Sequence, residues 1–579
     1  MVAKEISFID FLKENQERKL LIPIYQRAYE WTTKKDKEVY KLWEDIENIQ
    51  LEDSNSTHFL NSIVYIEDEK NKDFINIIDG QQRITTLSIL FIAIRDRLNQ
   101  LFKENEKLLK KEKESEKIVS NLEDIKIEIE KISDNFLERK WQKGDNKVRL
   151  SLSNKNQDRE VYNHFINSNT TILNTTSNIL KTHKYFLNTK KIKSFSFSEL
   201  KILLQKIERI NIVKVTLELE KDNPQTVFSS LNGGGLKLKD TDLIKNSIFM
   251  KIEREKQEEL HSELWEKLEN MPNEKNSDKE FAKFMQHFLT MKLGRVVTGN
   301  SIYEEFVNKY LKQVKAENDY EKVKAILTEM LEYKDIFLDL KNHKFYQEDS
   351  ILPYFEIEAY YPFLMLLKGK NSPLFTKVSK IIESFYVRRF VYTLPAGATK
   401  NIFASACKEL SIDDTILHKF TQFLKAKEKN LRFPSDDEFR GSFLIKNLYE
   451  DKAKLTKAIL FILEKSSNSS LELDFNDMEV EHILPQNSYI NLSHCWKEHL
   501  SNDEYDKQLH TMGNLTLLTK EDNSSIKDAC FENKKEVYLY SNLKLNEYLV
   551  DIDEWNSESI KSHANYLVEL ALDRWKSLD

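Results

Sequence analysis

The chain has 579 residues, yet only 11 are glycine and 9 proline, roughly a quarter to a third of average usage, which excludes collagen-like, linker-rich and turn-dense all-β architectures. Hydrophobic residues make up 40% of the chain, with 33 Phe, 23 Tyr and 7 Trp, enough for about three to four domain cores and too many for wholesale disorder. A net charge of −7 gives no global basic signature of nucleic-acid binding.

The charge is unevenly placed. Residues 471–579 hold 22 Asp/Glu against 10 Lys/Arg, while residues 1–470 hold 78 Lys/Arg against 73 Asp/Glu. Broad attraction for DNA must therefore come from the first 470 residues. Three cysteines (Cys407, Cys495, Cys530) with no CxxC pair indicate neither a disulfide framework nor a zinc ribbon. The start MVAKEISFID has no apolar signal core, and no uncharged apolar run approaches 18 residues. The expectation is a soluble, cytoplasmic protein without a membrane partner.

In chain order, residues 20–90 read as mixed α/β. His58–Ile66 and Phe74–Ile78 are β-branched runs suited to strands. From Thr85 to Leu109 the apolar spacing is helical, with Thr85/Thr86 as the expected N-cap. Residues 103–133, mostly Lys and Glu, predict a long solvated helix or hairpin. Residues 153–178 suggest a loop and an amphipathic helix, and Ile212–Leu219 alternates as a strand does. Residues 250–470 are nearly all helical pattern, broken near Met271–Ser277, Lys368–Pro373 and Thr393–Thr399, with Ser466–Ser470 linker-like. Residues 478–533 form a second mixed region, and 534–579 close in amphipathic helix. The fold class is mainly α with two small α/β regions.

Five of the scarce glycines fall in three polar clusters. In the first, Asp79-Gly80-Gln81-Gln82-Arg83 sits between a strand and a helix. Gly80 permits close backbone approach there, and a helix N-terminus favours anions. Ile22–Trp31 adds Gln26 and Arg27, with Tyr25, Tyr29 and Trp31 as stacking surfaces. Two arginines and aromatic rings suit a nucleotide, whose phosphates need charge and whose base needs a flat face. Asp-Gly is also an ordinary hairpin turn, and Arg beside aromatics is often plain packing. Both readings stay open. The chain has no GxxxxGK[ST], so it is not a P-loop NTPase.

The second cluster, within Asp222–Asn246, holds Gly233–Gly235, with Asn232, Lys237 and Lys239 as contacts for a nucleotide or DNA groove. A helix–helix turn with a C-cap glycine is the plainer reading. The third joins Glu481-His482 at a strand end, Gly513-Asn514 about thirty residues on, and Asn523 nine residues after Asn514. This order is what a ββα metal-finger nuclease requires. Neutral His482 would deprotonate water for attack on a phosphodiester. Glu481 and Asn523 would hold Mg²⁺ (or Mn²⁺), and Asn514 would fix the loop that positions His482.

Together the three clusters resemble the motifs of the GmrSD-type (type IV, modification-dependent) restriction endonucleases, a layout shared by SspE-like phosphorothioate-dependent defence proteins. IPIYQRAYEW, FLNSIVYI, IIDGQQRITTL and VFSSLNGGGLKLKDTDLIKN look like the family's N-terminal domain. RRFVYTLP, FPSDDEF, EVEHILPQN and GNLTLL look like its C-terminal nuclease region. The resemblance implies a ParB/sulfiredoxin-like N-terminal domain (1–250, with a helical insertion), a helical connection (251–380), and a helical plus His-Me finger (HNH) nuclease domain (381–579). It implies NTP binding and hydrolysis, GTP being the first candidate. Gln26, Arg27, Tyr29, Trp31, Asp79, Gly80, Gln81, Gln82, Arg83 and Thr85 would form that site, with Asp79 and Arg83 catalytic. Cleavage of modified phage double-stranded DNA would occur at His482 and Asn514 with Glu481 and Asn523 on the metal. Two departures from the family pattern are Asn61, where glycine is common, and Ser229, where glutamate is common.

The expectation is an anti-phage DNA endonuclease whose N-terminal domain senses modification. The sequence leaves open a homo-oligomer, an abortive-infection ribonuclease, and a ParB-like nucleotide-switched DNA-binding protein with an inactive nuclease site.

Overall fold

The computed structural model describes residues 2–67, 72–111, 116–139, 142, 147–153, 157–167, 176–188, 191–217, 239–272, 277–314, 319–450, 452–468 and 472–578. Most of these are helical, with one six-stranded mixed sheet and one two-stranded antiparallel sheet. They form two compact units: Met1–Glu266 with Phe306–Lys324, and Lys267–Glu305 with Ala325–Asp579. The cluster around Gly233–Gly235, with Ser229, Asn232 and Lys237, lies outside the described residues. The helix after it begins at Asp240, as its sequence predicts.

In the first unit the strands are β1 (Val2–Ser7), β2 (Lys19–Leu21), β3 (His58–Glu67), β4 (Phe74–Asp79), β5 (Leu150–Ser151) and β6 (Ile210–Leu217). Their order across the sheet is β1-β6-β3-β4-β2-β5. β1–β6 and β3–β4 pair antiparallel, while β3–β6, β2–β4 and β2–β5 pair parallel. Ile63, Ile75 and Ile77 from the sheet meet Phe8, Phe11, Trp43 and the helix Gln81–Lys111 in one core. That helix is buried almost all round from Ile84 to Ile94. At about 1.5–3 kcal/mol per large apolar side chain removed from water, this stretch anchors the end of β4. Beyond Leu98 it becomes half-solvated and pairs with the helix Glu116–Ile132, the expected hairpin.

β3 carries a register shift between Phe59 and Ser62, and Asn61 within it has φ of 72°. Glycine reaches this left-handed conformation most easily, with asparagine next. Asn61 thus keeps the backbone shape that the family's glycine would give.

In the second unit, the RRFVYTLP segment lies on the helix Phe375–Tyr392 and its exit. Arg388 and Arg389 are fully buried. Arg388 donates to the carbonyls of Trp575 (2.7 Å) and Pro434 (3.2 Å) and to Asp436 Oδ1 (2.6 Å). Arg389 donates to the carbonyls of Arg432 (3.1 Å) and Pro395 (2.9 Å). The two guanidiniums therefore staple the FPSDDEF segment and the C-terminal helix Ser557–Arg574 to one helix. Each donates mainly to backbone carbonyl oxygens.

The small sheet pairs β7 (Met478–His482) with β8 (Leu515–Thr519), His482 opposite Leu515. Thr519 caps the helix Lys520–Ile526, which packs on both strands. This is a ββα unit. One expectation fails here: Cys495 and Cys530, 35 residues apart, form a disulfide. Isolated cysteines without a CxxC give no sequence signal for it, because the two meet only through the excursion between β7 and β8.

Candidate active site

His482 ends β7, where Pro485 follows three residues later and the pairing stops. Its Nε2 lies 3.1 Å from His510 Nδ1, and the Gln486 amide nitrogen is 3.0 Å from Nδ1 and 2.9 Å from Nε2. Tyr449 packs edge-on against its ring (4.6 Å between centroids) and stacks on His510. Burial, then His510 and Lys534, push the imidazole down to about 3, so it is neutral at neutral pH.

Asn514 grips the chain at Leu484, two residues beyond His482. Its side chain is fully buried, and every polar group on it is used. Oδ1 accepts from Leu484 N–H (2.8 Å) and Trp555 Nε1–H (3.1 Å). Nδ2 donates to the carbonyls of Leu484 (3.1 Å) and Leu509 (2.9 Å). Gly513 beside it has no room for a side chain, since a Cβ would stand 2.3 Å from the Ile560 carbonyl oxygen.

The expected Glu481–Asn523 pair does not form. Asn523 Nδ2 donates instead to Glu479 Oε2 (2.9 Å). Glu481 is buried, with Lys534 Nζ at 2.5 Å and Tyr538 OH at 3.3 Å on its Oε1. Glu479 and Glu481 alternate with the pleat and share parity, so the sequence alone gives either to Asn523. The choice is made by Lys534, fifty-three residues downstream. Lys457 lies near Glu479 as well, and burial followed by Lys520 holds it below the usual lysine range. Glu479, Gln486, His510, Tyr449 and Lys534 were not among the residues expected from the sequence. Only Glu479 and Gln486, inside the same EVEHILPQ run, stood where inspection finds them.

In the first unit, the structure brings the two segments of the Asp-Gly turn together. Gly80 has φ of 95° and links β4 to the helix, which begins at Gln81 and not at Thr85. Thr85 and Thr86 lie buried inside the helix, because the polar Gln81-Gln82-Arg83 run supplies its first turn before the apolar period starts. Gln82 accepts from the N–H groups of Glu30 (2.9 Å) and Trp31 (3.3 Å) and donates to the Ala28 carbonyl (2.9 Å). Gln26 donates to the Ile78 carbonyl at 3.1 Å. Tyr29 is buried, its hydroxyl 2.7 Å from Thr86 Oγ1. It braces the turn, with no ring face left for a base. Trp31 is partly buried against the core. Arg83 Nη2 donates to Asp79 (2.8 Å) and to the Ser62 carbonyl (2.7 Å), and Arg27 pairs with Glu30 (3.0 Å). Among the described residues, the Nε–H groups of Arg27 and Arg83 are buried without an acceptor. No acidic residue occupies the first turn of this helix.

Among the described residues no group of three or more His, Cys, Asp or Glu is placed to hold a metal, and no helix is long and apolar enough to cross a membrane. A family model described as the GmrSD restriction endonuclease N-terminal domain matches residues 8–249. A second, for the GmrSD restriction endonuclease C-terminal domain, matches residues 433–570. A search of curated proteins finds no match. The two matched regions contain the Asp-Gly turn and the ββα unit respectively, and the chain belongs to the GmrSD-type restriction endonuclease family, nucleases whose substrate is DNA.

Proposed function

We propose that this chain is an HNH-type, divalent-metal-dependent endonuclease acting on modified phage DNA and governed by a nucleotide at the Asp79–Arg83 turn. The observation that carries the nuclease half is the ββα unit, with His482 at the strand end fixed by Asn514 and the Glu479–Asn523 pair between strand and helix. Neutral His482 takes a proton from water at Nδ1, which the Gln486 amide gives up as substrate enters. Its low intrinsic basicity is corrected on substrate binding, because an arriving phosphate favours the protonated ring. Lys457 and Lys520 meet the flanking phosphates.

Glu479 and Asn523 fit Mg²⁺ or Mn²⁺, ions that keep several waters and need only one or two protein oxygens. Such an ion, when bound, would neutralise charge on the scissile phosphate and the leaving oxygen. Glu481 is withdrawn from this role.

The Asp-Gly turn fits a nucleoside triphosphate. The N-terminus of a 31-residue helix and two buried arginine Nε–H groups that lack acceptors among the described residues suit phosphate oxygens. Gln26 and Gln82 set the turn, while Arg27 and Arg83 carry the charge. GTP is the first candidate.

The test is cleavage of plasmid and phage DNA of defined modification with Mg²⁺, each with GTP, ATP, CTP, UTP or none. Modification-selective cutting that His482→Ala abolishes and Arg83→Ala uncouples from nucleotide supports the proposal. Full protection of cells from phage by His482→Ala, with loss in Arg83→Ala, would replace it with a nucleotide-switched DNA-binding protein. Cleavage of RNA alone would replace it with a ribonuclease.

A further inference from the structure

Glu481 and Lys534 are buried ionic groups that the proposed reaction does not use. Lys534 is fully buried and Glu481 almost so, within the apolar cluster of Ile483, Leu484, Trp496, Leu518, Phe531 and Tyr538. Burial holds the carboxyl above its usual range and the ammonium below its own. Buried pairs of this kind are seldom better for stability than an apolar pair of the same volume. Their presence calls for another reason.

The reason lies in the second bond Lys534 makes. Its Nζ donates to Glu481 Oε1 at 2.5 Å and to the carbonyl oxygen of His482 at 3.0 Å. Asn514 grips the main chain at Leu484. The backbone of His482 is therefore tied at two points, two residues apart, from different elements. Lys534 and Tyr538, one turn apart on the helix Phe531–Tyr540, both reach Glu481. The ring of Trp496 lies 5.9 Å from Lys534 Nζ, so the ammonium cannot leave without opening the core.

We propose that the Glu481–Lys534 pair is a positioning device that fixes the main chain of His482, and that Glu481 does not hold the metal. Glu481 anchors Lys534 by charge, and Lys534 anchors the His482 carbonyl. The inference rests on the nuclease reading above.

The experiment uses the full chain and compares Glu481→Gln, Lys534→Met, Glu481→Gln/Lys534→Met and Glu479→Gln. For each, kcat, KM for DNA, half-saturating Mg²⁺ and Mn²⁺ binding by electron paramagnetic resonance are measured. Lys534→Met leaves a lone buried carboxylate and is the variant at risk of misfolding, whereas the double variant removes both charges and keeps the test open. A displacement of His482 of about 1 Å lowers kcat on the order of 10- to 100-fold. That loss is expected in Glu481→Gln and, without further loss, in the double variant. KM, half-saturating Mg²⁺ and Mn²⁺ affinity stay within about twofold of wild type in both, while Glu479→Gln weakens Mn²⁺ binding at least about tenfold. Weaker Mn²⁺ binding in Glu481→Gln with wild-type binding in Glu479→Gln overturns the inference, as does wild-type kcat in the double variant. A wild-type chain that cuts no DNA overturns the nuclease reading, and this inference with it.

Discussion

Asn514 shows how much one side chain can do when all four of its hydrogen-bonding positions are filled in a dry core. Asn514→Asp keeps the shape but removes two donors, turning the carbonyls of Leu484 and Leu509 against a carboxylate. We expect a loss of about 3 kcal/mol and no cleavage, read by thermal unfolding and plasmid nicking. A wild-type melting temperature would contradict this. His563 makes a second residue-scale prediction. It is fully buried, with Nδ1 2.8 Å from the Gly513 carbonyl oxygen, and burial pushes it down to about 4. The unfolded chain therefore binds the extra proton between about pH 6.5 and pH 4, so stability present above that window is lost as pH falls through it. The full effect is about 3 kcal/mol. Melting temperature should drop from pH 7 to pH 4.5, and His563→Gln should flatten the drop. An equal drop in both proteins would show that His563 does not set the acid limit of stability.

At the scale of elements, β3, β4 and β6 were legible as β-branched runs, and their starts moved by no more than two residues. β2 and β5 have three and two residues and exist only through pairing with each other and with β4, which no local pattern announces. The helix after Gly80 starts four residues before its expected cap, because Gln81, Gln82 and Arg83 are polar for the sake of the turn they hold. In the ββα unit, the Glu-His, Gly-Asn and Asn spacing was legible, since these residues sit at the end of β7, in the short turn before β8 and on the helix that follows it. Which glutamate meets Asn523 was not legible, because a distant lysine decides it. Nor was the Cys495–Cys530 bridge. Closing a loop of that length restricts the unfolded chain by about 2–4 kcal/mol. Cys495→Ser/Cys530→Ser should lower the melting temperature of the non-reduced protein and leave that of the dithiol-treated protein unchanged. Equal melting with and without dithiol in the wild type would argue against a bridge in solution.

Across the whole molecule, the acidic balance of residues 471–579 sets this C-terminal region apart from the remainder of the chain. With the cutting site proposed at His482, this balance gives that region little attraction of its own for DNA, and the proposal assigns delivery to residues 1–470, a restraint on indiscriminate cleavage. Neutralising Asp551, Asp553 and Glu558 to Asn and Gln should therefore raise cutting of unmodified DNA at low salt, and the gain should vanish at high salt. Unchanged activity would show that charge plays no part in restraint. The central claim is that His482, held at the end of β7, cuts DNA with a divalent ion. Its most direct measurement is cleavage of modified phage DNA by wild type and His482→Ala, with Mg²⁺ and with chelator. Cleavage is expected only from wild type with Mg²⁺, the variant retaining wild-type folding and DNA affinity. Equal cleavage by the folded variant, or cleavage by wild type in chelator, would contradict it.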